Sequence, residues 1–264
     1  MRRLPGILLL TAATLIVVVA LLVSGLRLVL PQLNSWRPQV LEKVSAMAGV
    51  PVDASNIVAN WQTFGPTLDV RDVKAGLNDG GELSVKRVTL ALDVWQSLLH
   101  MRWQFRDLTF WQLQIHTNTP IQTNNGGEGL KTDRISDLFL RQFDHFILRD
   151  SHLSFLTISG QRAELSIPQL TWLNGKNRHR AEGQLSLSSL TGQHGVMQVR
   201  MDLRDEDGLL NKGRVWLQAD DIDVKPWLGR WMQDNIALQS ARFSLEGWMT
   251  IDKGDVASGD VWLK

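Results

Sequence analysis

The sequence predicts a mainly β protein carried behind one N-terminal transmembrane helix, with a few short helices among the strands. Two observations carry that prediction. Residues 4–26, LPGILLLTAATLIVVVALLVSGL, run for twenty-three positions without a charge. From residue 52 onward the apolar spacing changes from helical to alternating, and clusters of Gly, Pro, Asn and Asp recur between the alternating runs.

The apolar run comes first. At about 1.5 Å per residue a helix of this length covers roughly 34 Å, enough to cross a bilayer with some tilt. One isolated apolar segment cannot close a barrel, so it must satisfy its backbone as a helix. Its apolar body is Leu4, Ile7, Leu10, Leu15, Val18, Leu22 and Leu26, and Pro5 sits at the entrance, where a missing N–H costs least. A cleaved signal peptide is the competing reading, with Arg2 and Arg3 as its basic flank, but a secretory apolar core is normally about 7–15 residues. The length favours an uncleaved anchor over residues 1–30. Arg27, Arg37 and Lys43 on the far side rival Arg2, Arg3 and the amino terminus, but the immediate N-terminal cluster has the form of a signal anchor, which leaves the N-terminus on the cytoplasmic side and sends everything from Pro31 across the membrane.

Composition narrows the remainder. Twenty-eight basic residues against 27 acidic ones give a net charge of +1, so no large single-sign field recruits nucleic acid. The absence of cysteine removes disulfides, thiolate catalysis and cysteine-ligated metal sites, and is compatible with an oxidising compartment such as a periplasm. Eleven tryptophans stand beside no tyrosine. Tryptophan suits boundaries between water and apolar surroundings, whether lipid edges or strand ends.

Residues 31–50 predict a short amphipathic helix, capped by Asn34 or Ser35, with Pro38 in its first turn and Gly49 as its stop. Val40, Leu41, Val44 and Met47 share one face; it suits either a membrane surface or the end of a domain. Strands follow at 52–62, 67–77, 83–93, 101–107 and 110–117, broken by Gly65-Pro66 and Asp79-Gly80-Gly81, with a brief helical turn at 95–100. Residues 120–131, PIQTNNGGEGLK, read as a polar loop, and 133–142 as a short amphipathic helix carrying Ile135, Leu138 and Phe139. Strands resume at 143–148, 152–158 and 162–172, the last bearing Leu165 and Ile167. Leu185 and Leu187 lead into 196–204, where Met197, Val199, Met201 and Leu203 point one way and Gln198, Arg200, Asp202 and Arg204 the other. Val215 and Leu217 follow the turn at 205–208. Residues 225–234 read as another short tryptophan-bearing helix. Phe243, Leu245, Met249 and Ile251 alternate with polar neighbours, and 256–264 is a strand pattern with no stop signal, as in the front piece of something longer.

Ten to twelve strands of this kind each carry one apolar face, and an apolar face must be covered. The few short helices cannot blanket them. Either the sheet folds onto itself as a sandwich or barrel, or it stays curled with its apolar lining open to a lipid, a membrane or another protein.

Several stretches bear on that choice. Residues 85–113, VKRVTLALDVWQSLLHMRWQFRDLTFWQL, 135–146, ISDLFLRQFDHF, 186–204, SLSSLTGQHGVMQVRMDLR, 213–223, GRVWLQADDID, and the opening MRRLPGILLL resemble the N-terminal region of an AsmA-like family of enterobacterial inner-membrane proteins. The resemblance implies a single-pass bacterial inner-membrane protein with its bulk in the periplasm. Residues 51–264 would form an extended, twisted antiparallel sheet curled into an open hydrophobic groove. It further implies phospholipid transport between inner and outer membranes, the acyl chains lying in the groove, and a much longer chain that supplies the outer-membrane contacts. On that reading the groove-lining candidates are Leu90 and Leu92; Leu165 and Ile167; Leu185 and Leu187; Met197, Val199, Met201 and Leu203; Val215 and Leu217; and Phe243, Leu245, Met249 and Ile251. The rival reading is an envelope scaffold or assembly factor that binds other proteins through its strand edges.

Sharper chemistry is not in evidence. The six histidines form no H-x-x-x-H pair and read as surface or edge residues rather than metal ligands. Asp205-Glu206-Asp207-Gly208 lacks the register and distal glutamate of a calcium loop and reads as a hairpin turn. With no G-x-S-x-G, phosphate loop or G-x-G-x-x-G, the sequence predicts no enzyme, no cofactor and no metal site.

Overall fold

The computed structural model describes residues 14, 17–18, 20–21, 23–25, 27–62, 65–76, 80–100, 104–120, 138–156, 162–189, 195–206, 208–223 and 242–263. Of the predicted anchor residues only Val18 falls among them; it is helical and 47% exposed, while Leu4, Ile7, Leu10, Leu15, Leu22 and Leu26 lie outside the described residues, as do the helix predicted at 225–234 and all of the loop predicted at 120–131 except Pro120, which ends a strand. Among the described residues no helix is long and apolar enough to cross a membrane.

A 3-10 turn, Leu30–Gln32, leads into helix α1, Arg37–Ala48, which starts with Pro38 in its first turn and stops at Gly49 in the left-handed region (φ 74°). The expected side-chain cap is absent. Trp36 takes the cap position, because the Asn34 carboxamide oxygen accepts from the Ile57 N–H at 3.2 Å and the Ser35 hydroxyl donates to the Gln32 carbonyl at 2.5 Å. Its apolar side is only partly used: Val40 and Leu41 are half-buried, Val44 is exposed, and Ala48 packs with Val50 and Ala75.

Twelve strands then build a single curled, unclosed sheet. They are β1 (Val52–Asp53), β2 (Asn56–Gln62), β3 (Gly65–Gly76), β4 (Glu82–Leu92), β5 (Phe105–Pro120), β6 (His145–Leu156), β7 (Arg162–Asn174), β8 (Arg178–Ser189), β9 (Gly195–Arg204), β10 (Lys212–Asp223), β11 (Arg242–Asp252) and β12 (Asp255–Leu263). Helix α2, Val94–His100, joins β4 to β5 where the helical turn was expected. From β3 to β12 each strand pairs with its neighbours in sequence, and β1 and β2 both pair with β3. The sandwich and the barrel are thereby excluded for the described strands.

Three expectations are corrected. The pairs 101–107 with 110–117 and 143–148 with 152–158 are single strands, β5 and β6. The sheet is also not wholly antiparallel: β5 and β6 run parallel, pairing Phe110 with Leu148 and Ile115 with Leu153. A parallel pair needs a crossover that returns the chain to its starting end. The described end of the chain between β5 and β6 carries a π-helical turn, Leu138–Gln142, where the second half of the helix expected at 133–142 falls; 133–137 lie outside the described residues.

The break expected in β6 falls on a crease that five strands share, whereas the one expected in β5, at 108–109, lies in regular ladder short of it. Strict alternation would put every second residue on one face. Instead the apolar face takes Val70 then Val73 in β3, Val85 then Val88 in β4, Phe110 then Leu113 in β5, Leu148 then Ser151 in β6, and Ile167 then Leu170 in β7. Each strand inserts its extra residue in the same row, so the pairing of β3 through β7 is in step on both sides of the crease. Asp72, Gln112 and Asp150 turn the chain there with φ near 50° (51°, 52° and 48°). Ser151, only 1% exposed, caps the Leu113 N–H at 3.3 Å where the ladder is interrupted. A bulge between Ser166 and Gln169 ends the crease at β8, which alternates normally.

Candidate functional site

The strand register assembles one continuous apolar row across the sheet. Val70 lies opposite Val88, Val88 opposite Phe110, Phe110 opposite Leu148 and Leu148 opposite Leu170. The row continues through Gly183, Val199, Leu217, Gly247 and Val261. Ten consecutive strands thus contribute an aliphatic side chain, a phenyl ring or a glycine, and none contributes a polar group.

Flanking rows run beside it. Phe146, Trp172, Ala181, Met201, Val215, Met249 and Gly259 form one; Leu185, Met197, Ala219, Leu245 and Leu263 form another. Leu203, opposite Gly213 and then Ile251, begins a third. Leu165, opposite Leu153 and Leu187, and Ile167, opposite Ser151, extend the face on β7, and Leu90, between Leu68 and Leu108, extends it on β4. Leu92 ends β4 opposite Phe105, and Phe243 pairs with Ile222. The register therefore brings the candidates of β4 and β7 through β11 onto one side of one sheet.

Exposure changes along this face. On β5 and β6 it is closed, with Leu108 1% exposed and Phe110 and Leu148 7%, while on β4 Val85 is buried and Val88 and Leu90 are half-buried. From β7 to β11 Leu170, Val199, Met201, Val215, Leu217 and Met249 are half-buried, while Ala181, Met197, Leu203 and Ala219 between them are buried. On β12 Val261 and Leu263 are 54% and 67% exposed. Residues 138–144 account for much of the closed section. Phe139 sets its ring 5.1 Å from Phe110 and 5.2 Å from Phe146, and Phe143 sits 5.8 Å from Phe105, with Trp172 stacked on Phe146 at 5.7 Å. Such pairs add about 0.5–1.5 kcal/mol each beyond the area they bury.

A buried polar chain ties this strap to the sheet. The Asn174 carboxamide donates to the Phe139 and Phe143 carbonyls at 2.7 and 2.8 Å, and its oxygen accepts from Trp172 Nε1 at 2.7 Å. The Asn174 N–H donates to the Asp144 carbonyl at 2.7 Å. His179, 1% exposed, places Nδ1 2.7 Å from that same Asn174 oxygen and Nε2 3.2 Å from Asp205 Oδ2. The surface position expected for this histidine is thus corrected: it sits at the end of the apolar face, where a buried polar side chain requires partners and finds two. Asp205 also accepts from the Leu210 N–H at 2.8 Å, shaping the β9–β10 connection expected as a hairpin turn. Nearby, the Asp144 carboxylate 3.1 Å from His145 Nδ1 holds the His145 pKa above its ordinary value, against the opposing effect of burial.

The opposite face is polar. Gln169, Gln184, Gln198 and Gln218 stand in one cross-strand row, and beside them Glu182 pairs with Arg200 at 2.9 Å. Arg200 also lies 5.3 Å over the Trp216 ring, itself beside Trp248. Arg178 and Asp202 form a bidentate pair that lowers the aspartate's pKa.

Sequence reasoning missed the polar chain, because Asn174 reads as a turn residue and His179 as an ordinary edge histidine. It also missed the glycines of the row. A Cβ at Gly183 would meet the Gln169 carbonyl oxygen at 2.5 Å and Leu170 Cα at 2.8 Å, so only glycine allows the approach of β7. The recoverable signal was the three-residue apolar spacing at Val85/Val88 and Phe110/Leu113.

An unclosed single sheet, apolar from edge to edge on one side and polar on the other, defines a class: β proteins that present an elongated apolar track. Among the described residues no cluster of three or more His, Asp or Glu side chains is placed to hold a metal. The chain belongs to the YhdP family, whose model, described as YhdP protein, matches residues 1–264. It is 74% identical over all 264 of its residues to the intermembrane phospholipid transporter YhdP of Escherichia coli (strain K12), and spans 21% of the length of that relative. No solved structure matches.

Proposed function

We propose that this chain is the membrane-proximal section of a phospholipid conduit. Residues 1–30 anchor it as a single-pass helix in a bacterial inner membrane, 31–50 form the junction, and 51–264 lie in the periplasm with their apolar face carrying acyl chains and head groups left in water. The observation that carries the reading is the unbroken row from Val70 to Val261. The relative's name, an intermembrane phospholipid transporter, supports the same substrate.

The energetics favour a track of this kind. Exposing the roughly 30 methylenes of a two-chain phospholipid to water costs on the order of 24 kcal/mol, at about 0.8 kcal/mol each. A local contact cannot offset that, whereas a continuous apolar surface avoids it. Ten to twelve strands at about 4.8 Å spacing extend the surface over roughly 50–60 Å. No bond is made or broken: the track lowers a barrier, and its methionines, Met197, Met201 and Met249, adapt to varied chains.

The test uses the full-length protein in cells. A benzophenone amino acid at Val199 should yield phospholipid adducts, and the same group at neighbouring Gln198, on the polar face, should not. Equal labelling at both positions, or none at Val199, would overturn the reading. Native mass spectrometry of detergent-purified protein gives a second measure: retained phospholipid supports a conduit, and a lipid-free mass with a captured envelope protein supports a scaffold instead.

A further inference from the structure

The apolar face has a closed section on β5 and β6 beneath residues 138–144, where Leu108, Phe110, Phe146 and Leu148 are at most 7% exposed; Val88 before it and Leu170, Val199 and Leu217 after it are half-buried, and Met197, Ala219 and Ile222 form a separate buried cluster farther along. The closed section is the one nearer the N-terminal run. Arg27 lies 6.0 Å over the Trp61 ring of β2, and Asn34 holds the Ile57 N–H, so the chain enters the sheet at its β1–β3 edge. An acyl chain travelling from that edge toward β12 must cross β4, β5 and β6, where Val85, Phe110 and Phe146 are at most 7% exposed.

Resting on the proposed function, we infer that residues 138–144 are a strap that gates this passage and that Asn174 is its latch. Three facts converge. The strap lies on the apolar side, since both its phenyl rings, Phe139 and Phe143, pack against Phe110. Its main-chain carbonyls at Phe139, Phe143 and Asp144 are all held by Asn174, through two side-chain donations and one from the backbone N–H. Removing that one side chain would therefore free two of the three anchor points at once, leaving only the main-chain donation to Asp144. The Asn174 amide is itself fixed: with its nitrogen facing two carbonyls, its oxygen must accept, and Trp172 Nε1 and His179 Nδ1 both face that oxygen. His179 and Asp205 position the latch from the end of the apolar face.

A crossover that served only to connect two parallel strands has no need of paired aromatic rings in the face it crosses. Phe139 and Phe143 fill the volume that acyl chains would take over β5 and β6. Strap rings and lipid are thus competitors for the same surface, and the passage opens when lipid displaces the rings.

The experiment places benzophenone at Val88, the cross-strand neighbour of Phe110 at the edge of the closed section, and at Val199, beyond it, in the full-length protein. Asn174→Ala should raise phospholipid adducts at Val88 several-fold and leave those at Val199 present; unchanged labelling at Val88 overturns the gate. Loss of Asn174 can unfold strap and sheet together, so a second variant stands independently of it. Phe139→Cys with Phe146→Cys, bridged by a short bis-maleimide, should abolish adducts at Val199 relative to either single cysteine variant. Labelling at Val199 equal to that of the unbridged protein overturns the gate. Absence of adducts at Val199 in the otherwise unaltered protein would instead sink the conduit reading itself, so the two failures are told apart.

Discussion

Asn174 Oδ1 and His179 Nδ1 meet at 2.7 Å across the hairpin that joins β7 to β8. Because the asparagine nitrogen is committed to two strap carbonyls, the histidine nitrogen must be the donor of this bond. The other ring nitrogen faces Asp205, so one buried imidazole bridges two elements. His179→Leu leaves one lone pair of Asn174 without that donor and removes the ring that faces Asp205. A buried polar group deprived of its partner costs about 1–3 kcal/mol, and the urea midpoint of the variant should fall accordingly with little change in slope.

His145 carries a pH dependence whose sign is set by Asp144. Its folded pKa is raised, chiefly by the hydrogen bond to the Asp144 carboxylate, so the pair stabilises the fold fully below the ordinary histidine value of about 6.5 and loses that contribution as the pH climbs through the raised value. Thermal melting of the wild type should exceed that of His145→Gln under mildly acidic conditions. The gap should close in alkaline buffer, and a gap that widens with pH would contradict the assignment.

Asp202 acts at the other end of the scale. The Arg178 guanidinium holds its carboxyl below the usual range, so its contribution is present above the ordinary aspartate value and disappears as the pH falls through the lowered one. Both side chains are substantially exposed, 47% and 40%, and salt screens such a pair. Asp202→Asn should therefore shift melting only slightly at neutral pH and not at all in strong acid, with the neutral-pH difference shrinking at high ionic strength.

Gly183 tests the packing of β7 on β8. Its substitution by valine drives a side chain into the main chain of Gln169 and Leu170, which cannot swing aside. Overpacking of this kind costs about 1–3 kcal/mol. Gly76→Ala, where an added Cβ meets nothing within 4 Å, should change stability by less than about 0.5 kcal/mol in the same denaturation series.

Charge on the apolar face should stop lipid from occupying it. Met201→Arg and Leu245→Arg are expected to lower the phospholipid retained by the purified protein while the N-terminal segment still inserts. Gln198→Arg, one residue from Val199 but on the opposite face, should retain wild-type occupancy. Equal loss in all three would mean that face does not matter.

Much of this was legible in the residues themselves. Alternation in β9 to β11 placed Met197 through Leu203, Val215 and Leu217, and Leu245 through Ile251 on a common side, because a period of two leaves no other arrangement. What alternation could not convey was the pairing of β5 with β6. Phe110 and Leu148 are neighbours only because the intervening chain returns across the sheet, and nothing local in Pro120 or His145 encodes that return. Strand β6 reads as two for a related reason: Asp150 interrupts the period, and an interrupted period resembles a loop until its neighbours are seen to break at the same height, whereas the break expected in β5 falls at 108–109, in regular ladder short of Gln112. His179 was opaque because burial of a polar ring depends on partners at positions 174 and 205, far outside any local window.

The crease of β3 to β7 bears on how such a sheet can change over time. Deleting one residue from a lone strand would invert the sidedness of everything beyond the deletion and set its charged groups against its neighbours' aliphatic ones. A matching deletion in each of the other four would be needed to restore agreement. These five segments can drift in composition one at a time, but in length they are obliged to move as a single unit.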